Sequence, residues 1–266
     1  MRVAMYYSNK DVRPEEMPKP SAGPGEMLVR VEASGICGTD CLEWYRIHRV
    51  PLVLGHEIAG VVADLGSGVR GFGIGDRVAV SHHVPCLECR FCKDGHESVC
   101  ETLRKTNFFP GGFSEYVRVP AINIEKGGAY KLPDNVSFED ATFIEPLACV
   151  LRGQRMARFK KGSSVLVIGS GISGILHIKL AKANGAARIF ATDLSGFRLD
   201  LARKAGADFA WNAKDFSVGK LKEKNCGYLA DLVILCAGAV PALEQGLRSL
   251  ERGGTVLFFA ASPKDA

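Results

Sequence analysis

The sequence has no run of about 18 apolar residues, the length at which a helix can cross a bilayer, so no membrane span is expected. Its most apolar stretch, Val165 to Leu176, is broken by three glycines and two serines. The first residues, Met1-Arg2-Val3-Ala4-Met5-Tyr6-Tyr7, lack the long apolar segment of a secretory signal, and the cytoplasm is the expected location. There is no basic stripe. Lys and Arg total 34 against 29 Asp and Glu, a net charge of +5, and the basic residues are scattered in short pairs such as Lys160-Lys161. That distribution argues against a nucleic-acid surface or a polybasic membrane anchor. The 30 glycines follow no collagen-like period, and no internal repeat or low-complexity segment is present. Without an export signal, the nine cysteines point to metal or thiol chemistry, not to disulfides.

What remains is an ordinary core-forming composition, 47% apolar and 24% charged over 266 residues, enough for two domains. The two parts differ in texture. Residues 1–150 hold short Val-rich runs between Gly and Pro: Met27–Ala33, Glu57–Leu65, Arg77–Ser81 and Phe113–Val119. They predict an antiparallel or barrel-like β domain, with the glycine-rich Gly66–Asp76 as tight turns. In residues 151–266 strands alternate with helices. Strands are predicted at Val165–Ile168, Arg188–Thr192, Ala207–Trp211, Asp231–Leu235 and Thr255–Phe259. Helices are predicted to about Asn184, near Phe197–Ala205, Val218–Lys224 and Ala242–Leu250. This order predicts βαβ units and a doubly wound parallel sheet. A crossing helix is expected to start near Glu139.

Gly169-Ser170-Gly171-Ile172-Ser173-Gly174 directly follows the strand Val165–Ile168 and opens a helix. In that setting the glycines suit a tight turn, close approach of a pyrophosphate, and helix–strand packing, while the helix N-terminus offers N–H groups to phosphate. Asp193 ends the second strand about 20 residues later, where an acid can bind a ribose 2′-OH. The competing interpretation is a structural glycine turn with a capping Asp. A carboxylate there favours NAD over NADP, although Arg198 follows closely.

Cys86, Cys89, Cys92 and Cys100 form C-x2-C-x2-C-x7-C. Four thiolates in one loop can enclose a tetrahedral Zn²⁺ with no open position, which makes it a structural zinc. A dispersed set comprises Cys37 in Gly35-Ile36-Cys37-Gly38-Thr39-Asp40, His56 and Glu57 after Gly55, and Glu145 before Pro146-Leu147. Taken singly, a His beside a strand or an acid at a helix start has an ordinary structural explanation.

These pieces, with Gly75-Asp76-Arg77-Val78 and Gly112-Phe113-Ser114-Glu115-Tyr116, occur in an order that resembles the zinc-dependent medium-chain dehydrogenases, in particular the sorbitol and threonine dehydrogenase branch. The resemblance covers essentially the whole chain. It implies a GroES-like β catalytic domain followed by a Rossmann domain, two zinc ions per chain, and NAD. It implies Cys37 and His56 as catalytic zinc ligands, Glu57 at a position that binds or approaches the metal, and Glu145 as a further ligand of that zinc, in place of a Cys found in other members. Zinc would polarise the hydroxyl of an alcohol or polyol whose hydride passes to nicotinamide, and Thr39 would hydrogen-bond the substrate oxygen and pass its proton outward. A threonine 3-dehydrogenase or another alcohol dehydrogenase is the alternative within the family. Intact relatives are dimers or tetramers, so a homo-oligomer is implied for an intact relative.

Two departures stand out. The residue three positions after Thr39, often a His that carries the proton outward, is Leu42. A cofactor ribose hydroxyl, water or His48 could take its place. Family members also reach about 340–350 residues, a two-domain scale. A chain stopping at Ala266 is expected to lack the sixth Rossmann strand, and an inactive zinc- and dinucleotide-binding fragment is the competing expectation. Cys41 reads as a spare thiol, and Trp44, Tyr45, Phe108 and Phe109 read equally as pocket lining or ordinary packing.

Overall fold

The computed structural model describes residues 1–261. The chain divides into two compact units, one of Met1–Pro146 and one from Leu147 onward. Among the described residues, no helix is long and apolar enough to cross a membrane.

The first unit contains two antiparallel sheets. Strands β1 (Arg2–Ser8), β2 (Asp11–Glu16) and β4 (Leu52–Val53) form the smaller, in the order β2-β1-β4. The larger joins β3 (Met27–Gly35), β5 (Glu57–Leu65), β6 (Arg77–Ser81), β7 (Tyr116–Val119) and β8 (Ala129–Lys131), in the order β7-β3-β5-β6-β8. Alternate residues build its core: Met27 and Val29, Val78 and Val80, Val117 and Val119 all point to one buried face. This is the period-two pattern a half-buried strand requires. Ala59 and Ala79 face the other way, against Leu132 and Ala141.

Register in this sheet decides what meets at its end. Gly35 at the end of β3 pairs with Glu57 at the start of β5, and Glu57 pairs with Ser81 at the end of β6. The chain just after β3, just before β5 and just after β6 is thereby gathered at one edge. Gly35 must lack a side chain there, because a Cβ would collide with the Glu57 carboxylate.

The second unit is a five-stranded parallel sheet of β9 (Ser164–Ile168), β10 (Arg188–Asp193), β11 (Phe209–Asn212), β12 (Ala230–Leu235) and β13 (Leu250–Phe258), in the order β11-β10-β9-β12-β13. Every residue of the central β9 is buried, as expected of a parallel strand covered on both faces. Val165 and Val167 pack with Ile178 and Leu199 of the helices Ile172–Ala183 and Gly196–Ala205. Leu166 and Ile168 pack on the opposite face with Phe190 and Leu221.

The fold class is as the sequence implied, a GroES-like β unit and a doubly wound parallel sheet. Local details differ. The hairpin β1–β2 was not expected, because Asp11–Glu16 is charged and mostly exposed and so lacks apolar alternation. The stretch expected as Phe113–Val119 is a strand only from Tyr116; before it, Phe113 and Ser114 pair with Ala4 and Val3 instead, through the Ala4 N–H to the Phe113 carbonyl and an isolated bridge between Val3 and Ser114. The helix expected to reach Leu250 ends at Arg248, and Leu250 pairs with Ala230. The crossing helix is two pieces, Phe138–Ala141 and Ile144–Met156.

Gly174 sits where the helix Ile172–Ala183 crosses the turn after β9, and a Cβ there would collide with the Gly169 carbonyl. Gly174→Ala is expected to cost about 1–3 kcal/mol through overpacking, lowering Tm by about 3–10 °C. Thermal unfolding followed by circular dichroism checks this.

Candidate functional site

The four-cysteine loop lies between β6 and β7. Leu87, Phe91 and Val99 in it are all exposed, so apolar burial does not hold it. Its sulfurs converge instead. Sγ of Cys92 lies 3.9 Å from that of Cys86 and 3.5 Å from that of Cys89, and Cys100 lies 3.6 Å from Cys86. A tetrahedral ion with Zn–S bonds of about 2.3 Å spaces its sulfurs about 3.8 Å apart. The donor set therefore fits zinc in both chemistry and size. Backbone N–H groups of Glu88 and Cys89 pull the Cys86 thiol below its usual value. Those of Cys86 and Leu103 bring Cys100 down to about 6. Burial pushes Cys92 up to about 12. Four such thiols cannot all ionise without a cation among them.

The second cluster forms at the edge where β3, β5 and β6 meet. One donor atom from each of Cys37, His56 and Glu57 lies within 4.8 Å of the others. Sulfur, nitrogen and oxygen donors in threes are a set that catalytic zinc uses, with a fourth position open. Glu145 is not within this group. It stands in the first turn of the helix Ile144–Met156, near enough for its charge to raise Glu57. Burial is the larger cause of the upward shift of Glu57, and His56 opposes it.

Sequence reading missed what lies behind these groups. Asp40, 5% exposed, receives the Cys37 N–H at 3.1 Å and has its other oxygen 3.5 Å from His56 Nδ1. A carboxylate there fixes the ring so that its remaining nitrogen is available to a metal. Burial would depress His56, but hydrogen bonds to Asp40 and Cys37 outweigh it and push it up to about 10. Arg46 joins the same carboxylate at 3.5 Å and also reaches Thr39. The rings of His82 and His83, following β6, lie beside the site in tilted contacts, at 49° between His56 and His82 and 45° between His82 and His83. His82 is 4.7 Å from His56, and His83 is 3.8 Å from His82. Burial and the neighbouring His83 drop His82 to about 2, so it is neutral. The signals available were Asp40 three residues after Cys37, and a His pair directly after the strand that pairs with Glu57.

Other candidates fall elsewhere. Cys41 and His48 are exposed, and Leu42 is half-buried. Phe108 belongs to the core of the larger sheet, whereas Trp44, Tyr45 and Phe109 are partly exposed.

In the second unit, Gly169 takes φ +92° in the turn after β9, and its N–H donates to the Thr192 carbonyl at 2.8 Å. Gly171, the N-cap of the helix Ile172–Ala183, has φ −70°, which any residue tolerates, and a Cβ on it would meet nothing within 4 Å. Nothing inside the described chain requires a glycine there, which suits a backbone that a ligand must approach closely. Ile172 and Ser173 open the helix, whose first N–H groups are free for an anion. Asp193, 8% exposed, accepts the N–H of Ser170 at 2.8 Å and of Ser195 at 2.9 Å. Each oxygen keeps a further lone pair. Arg198 lies 3.8 Å from it.

The family model for the alcohol dehydrogenase GroES-like domain matches residues 23–134, and that for zinc-binding dehydrogenase matches residues 173–266. The chain is 36% identical over 258 residues to a probable D-xylulose reductase A of Aspergillus fumigatus, covering 92% of this chain and 71% of that protein. It is 38% identical over 256 residues to an L-threonine 3-dehydrogenase of Pyrococcus furiosus, covering 93% and 71%. It is 33% identical over 264 residues to the sorbitol dehydrogenase of Bacillus subtilis, covering 96% and 73%. A zinc-binding dehydrogenase of Sinorhizobium meliloti 1021, solved with NADP bound, superposes with a TM-score of 0.86 at 30% identity, covering 100% of this chain and 78% of that one.

Two outcomes are expected. Without metal, His56 keeps its proton up to about pH 10, and zinc must displace it. The affinity of the Cys37 site for zinc should therefore fall at least about tenfold for each pH unit below that value, measurable by chelator competition between pH 6.5 and 8.5. Cys100→Ser should remove one equivalent of zinc and speed hydrogen exchange in residues 86–100 by at least about tenfold, with the larger sheet unaffected.

Proposed function

The chain belongs to the zinc-dependent medium-chain dehydrogenases, and from that membership we propose that it moves a hydride between a secondary alcohol or polyol and NAD. The convergence of Cys37, His56 and Glu57 at one sheet edge, with Asp40 behind the His, carries this reading. Residues 1–150 are proposed as the zinc-binding catalytic domain and residues 151–266 as the dinucleotide-binding domain.

Two zinc ions per chain are proposed, one held by Cys86, Cys89, Cys92 and Cys100, the other by Cys37, His56 and Glu57. When bound, the second acts as a Lewis acid on the substrate oxygen. Glu145 is the carboxylate proposed to exchange with water or Glu57 there. Thr39 hydrogen-bonds the substrate oxygen. Gly169, Gly171 and Gly174 let the pyrophosphate approach the helix N-terminus, with Ile172 and Ser173 supplying N–H groups. Asp193 receives the ribose hydroxyls and repels a 2′-phosphate, so NAD is preferred, with Arg198 occupied by Asp193. The cytoplasm is the proposed location, since a metal-binding four-cysteine loop needs reduced thiols. The 38% identity to a threonine 3-dehydrogenase supports a second reading, with threonine as the substrate.

Elemental analysis should find two zincs per chain, falling to one in Cys37→Ser. A zinc content that is the same in the parent chain and in Cys37→Ser would end the catalytic-zinc reading. A panel of polyols, simple alcohols and threonine, followed by nicotinamide absorbance, separates the two substrate readings: turnover of threonine alone selects the second. Asp193→Ala should cut the preference for NAD over NADP by at least about tenfold, through loss of ribose hydrogen bonds and of repulsion. Equilibrium binding of both cofactors measures this. Gly171→Ala should weaken binding of both cofactors while changing Tm by under about 1 °C.

A further inference from the structure

A hydroxyl has one hydrogen to give and two lone pairs, whereas a guanidinium has five hydrogens and no lone pair. Arg46 and Thr39 bring these two groups together. Arg46 Nη2 donates to Thr39 Oγ1 at 3.3 Å, and its Nε donates to the Thr39 carbonyl at 3.2 Å. The guanidinium is fixed from two further sides, 3.5 Å from the Asp40 carboxylate and 4.8 Å over the Tyr45 ring. Its side chain is only 15% exposed. The apolar Leu42 occupies the position three residues after Thr39, and His48 is exposed.

We propose that Arg46 is a positioning residue that sets the Thr39 hydroxyl as a fixed hydrogen-bond donor to the substrate oxygen. The inference rests on the functional reading above. By filling a lone pair of Oγ1, Arg46 turns the hydroxyl's own hydrogen away from itself. A guanidinium cannot accept a proton in a protein, so the proton that the alcohol's own hydroxyl loses goes to water, and Arg46 orders the Thr39 hydroxyl without carrying that proton. The same cation balances Asp40, and one side chain thus orders both the hydroxyl and the carboxylate behind His56.

The test uses the full chain loaded with Co²⁺, reading the visible bands that disappear in Cys37→Ser, and titrates it with 2,2,2-trifluoroethanol. Arg46→Ala should weaken trifluoroethanol binding about tenfold with cobalt content unchanged, and Arg46→Lys should lose no more than about threefold, since an ammonium can still donate to Oγ1. In a Thr39→Val background, Arg46→Ala should have no further effect, because the coupling runs through the hydroxyl. The proposal is overturned if Arg46→Ala binds the alcohol like the parent, if it weakens binding equally in the Thr39→Val background, or if both Arg46 variants lose cobalt in proportion to alcohol. Absence of any Cys37-dependent band in the parent chain overturns the metal-site reading itself, and this proposal with it.

Discussion

The candidate catalytic cluster depends on the register of three antiparallel strands. Gly35 pairs with Glu57 and Glu57 with Ser81, so the ends of β3 and β6 and the start of β5 share one edge. Because side chains alternate along a strand, a slip of one residue would turn Glu57 to the other face and bury the wrong set of residues. The apolar alternation that fills the core therefore also places the metal donors. Met27, Val29, Ile58, Val78 and Val80 pack on one side of the sheet, and Cys37, His56 and Glu57 follow from that choice.

Asp40 is the electrostatic centre of that edge. One buried carboxylate takes the Cys37 N–H, faces His56 and pairs with Arg46. Burying a carboxylate is costly unless it is paired and hydrogen-bonded, and here each partner also belongs to the site. The cost of burial is offset by the same contacts that orient the His, the thiol-bearing turn and, through Arg46, the Thr39 hydroxyl. His82 beside it stays neutral because burial disfavours its charge, and a further cation would also be repelled by His83, His56 and Arg46.

The two candidate metal clusters differ in how they are encoded. The four cysteines lie within 15 residues, and short-range spacing alone defines their geometry. The exposed Leu87, Phe91 and Val99 show that the loop has little else to order it. The Cys37 cluster draws on residues separated by about 20 positions and requires the sheet. The dinucleotide turn is intermediate, for Gly169, Gly171 and Gly174 are local but serve different ends. Gly169 is demanded by its positive φ and Gly174 by packing, and Gly171 has no internal reason to be glycine.

The sequence by itself determined the two textures of the chain, the parallel sheet with its phosphate-type turn, the four-cysteine loop and the membership of Cys37, His56 and Glu57 in one kind of site. These are legible because they rest on short periods, turn chemistry and ligand spacing, or on motifs in a specific order. The charged hairpin β1–β2 escaped because its residues carry no apolar alternation, and the start of β13 escaped because a strand edge is set by its partner Ala230. Only the tertiary structure decided that Asp40 stands behind His56, that Arg46 reaches Thr39, that His82 packs beside His56 with His83 behind it, and that Glu145 stands outside the group of three donors. Those relations are contacts across a folded edge, fixed by strand register and burial, and no local pattern of residues specifies them.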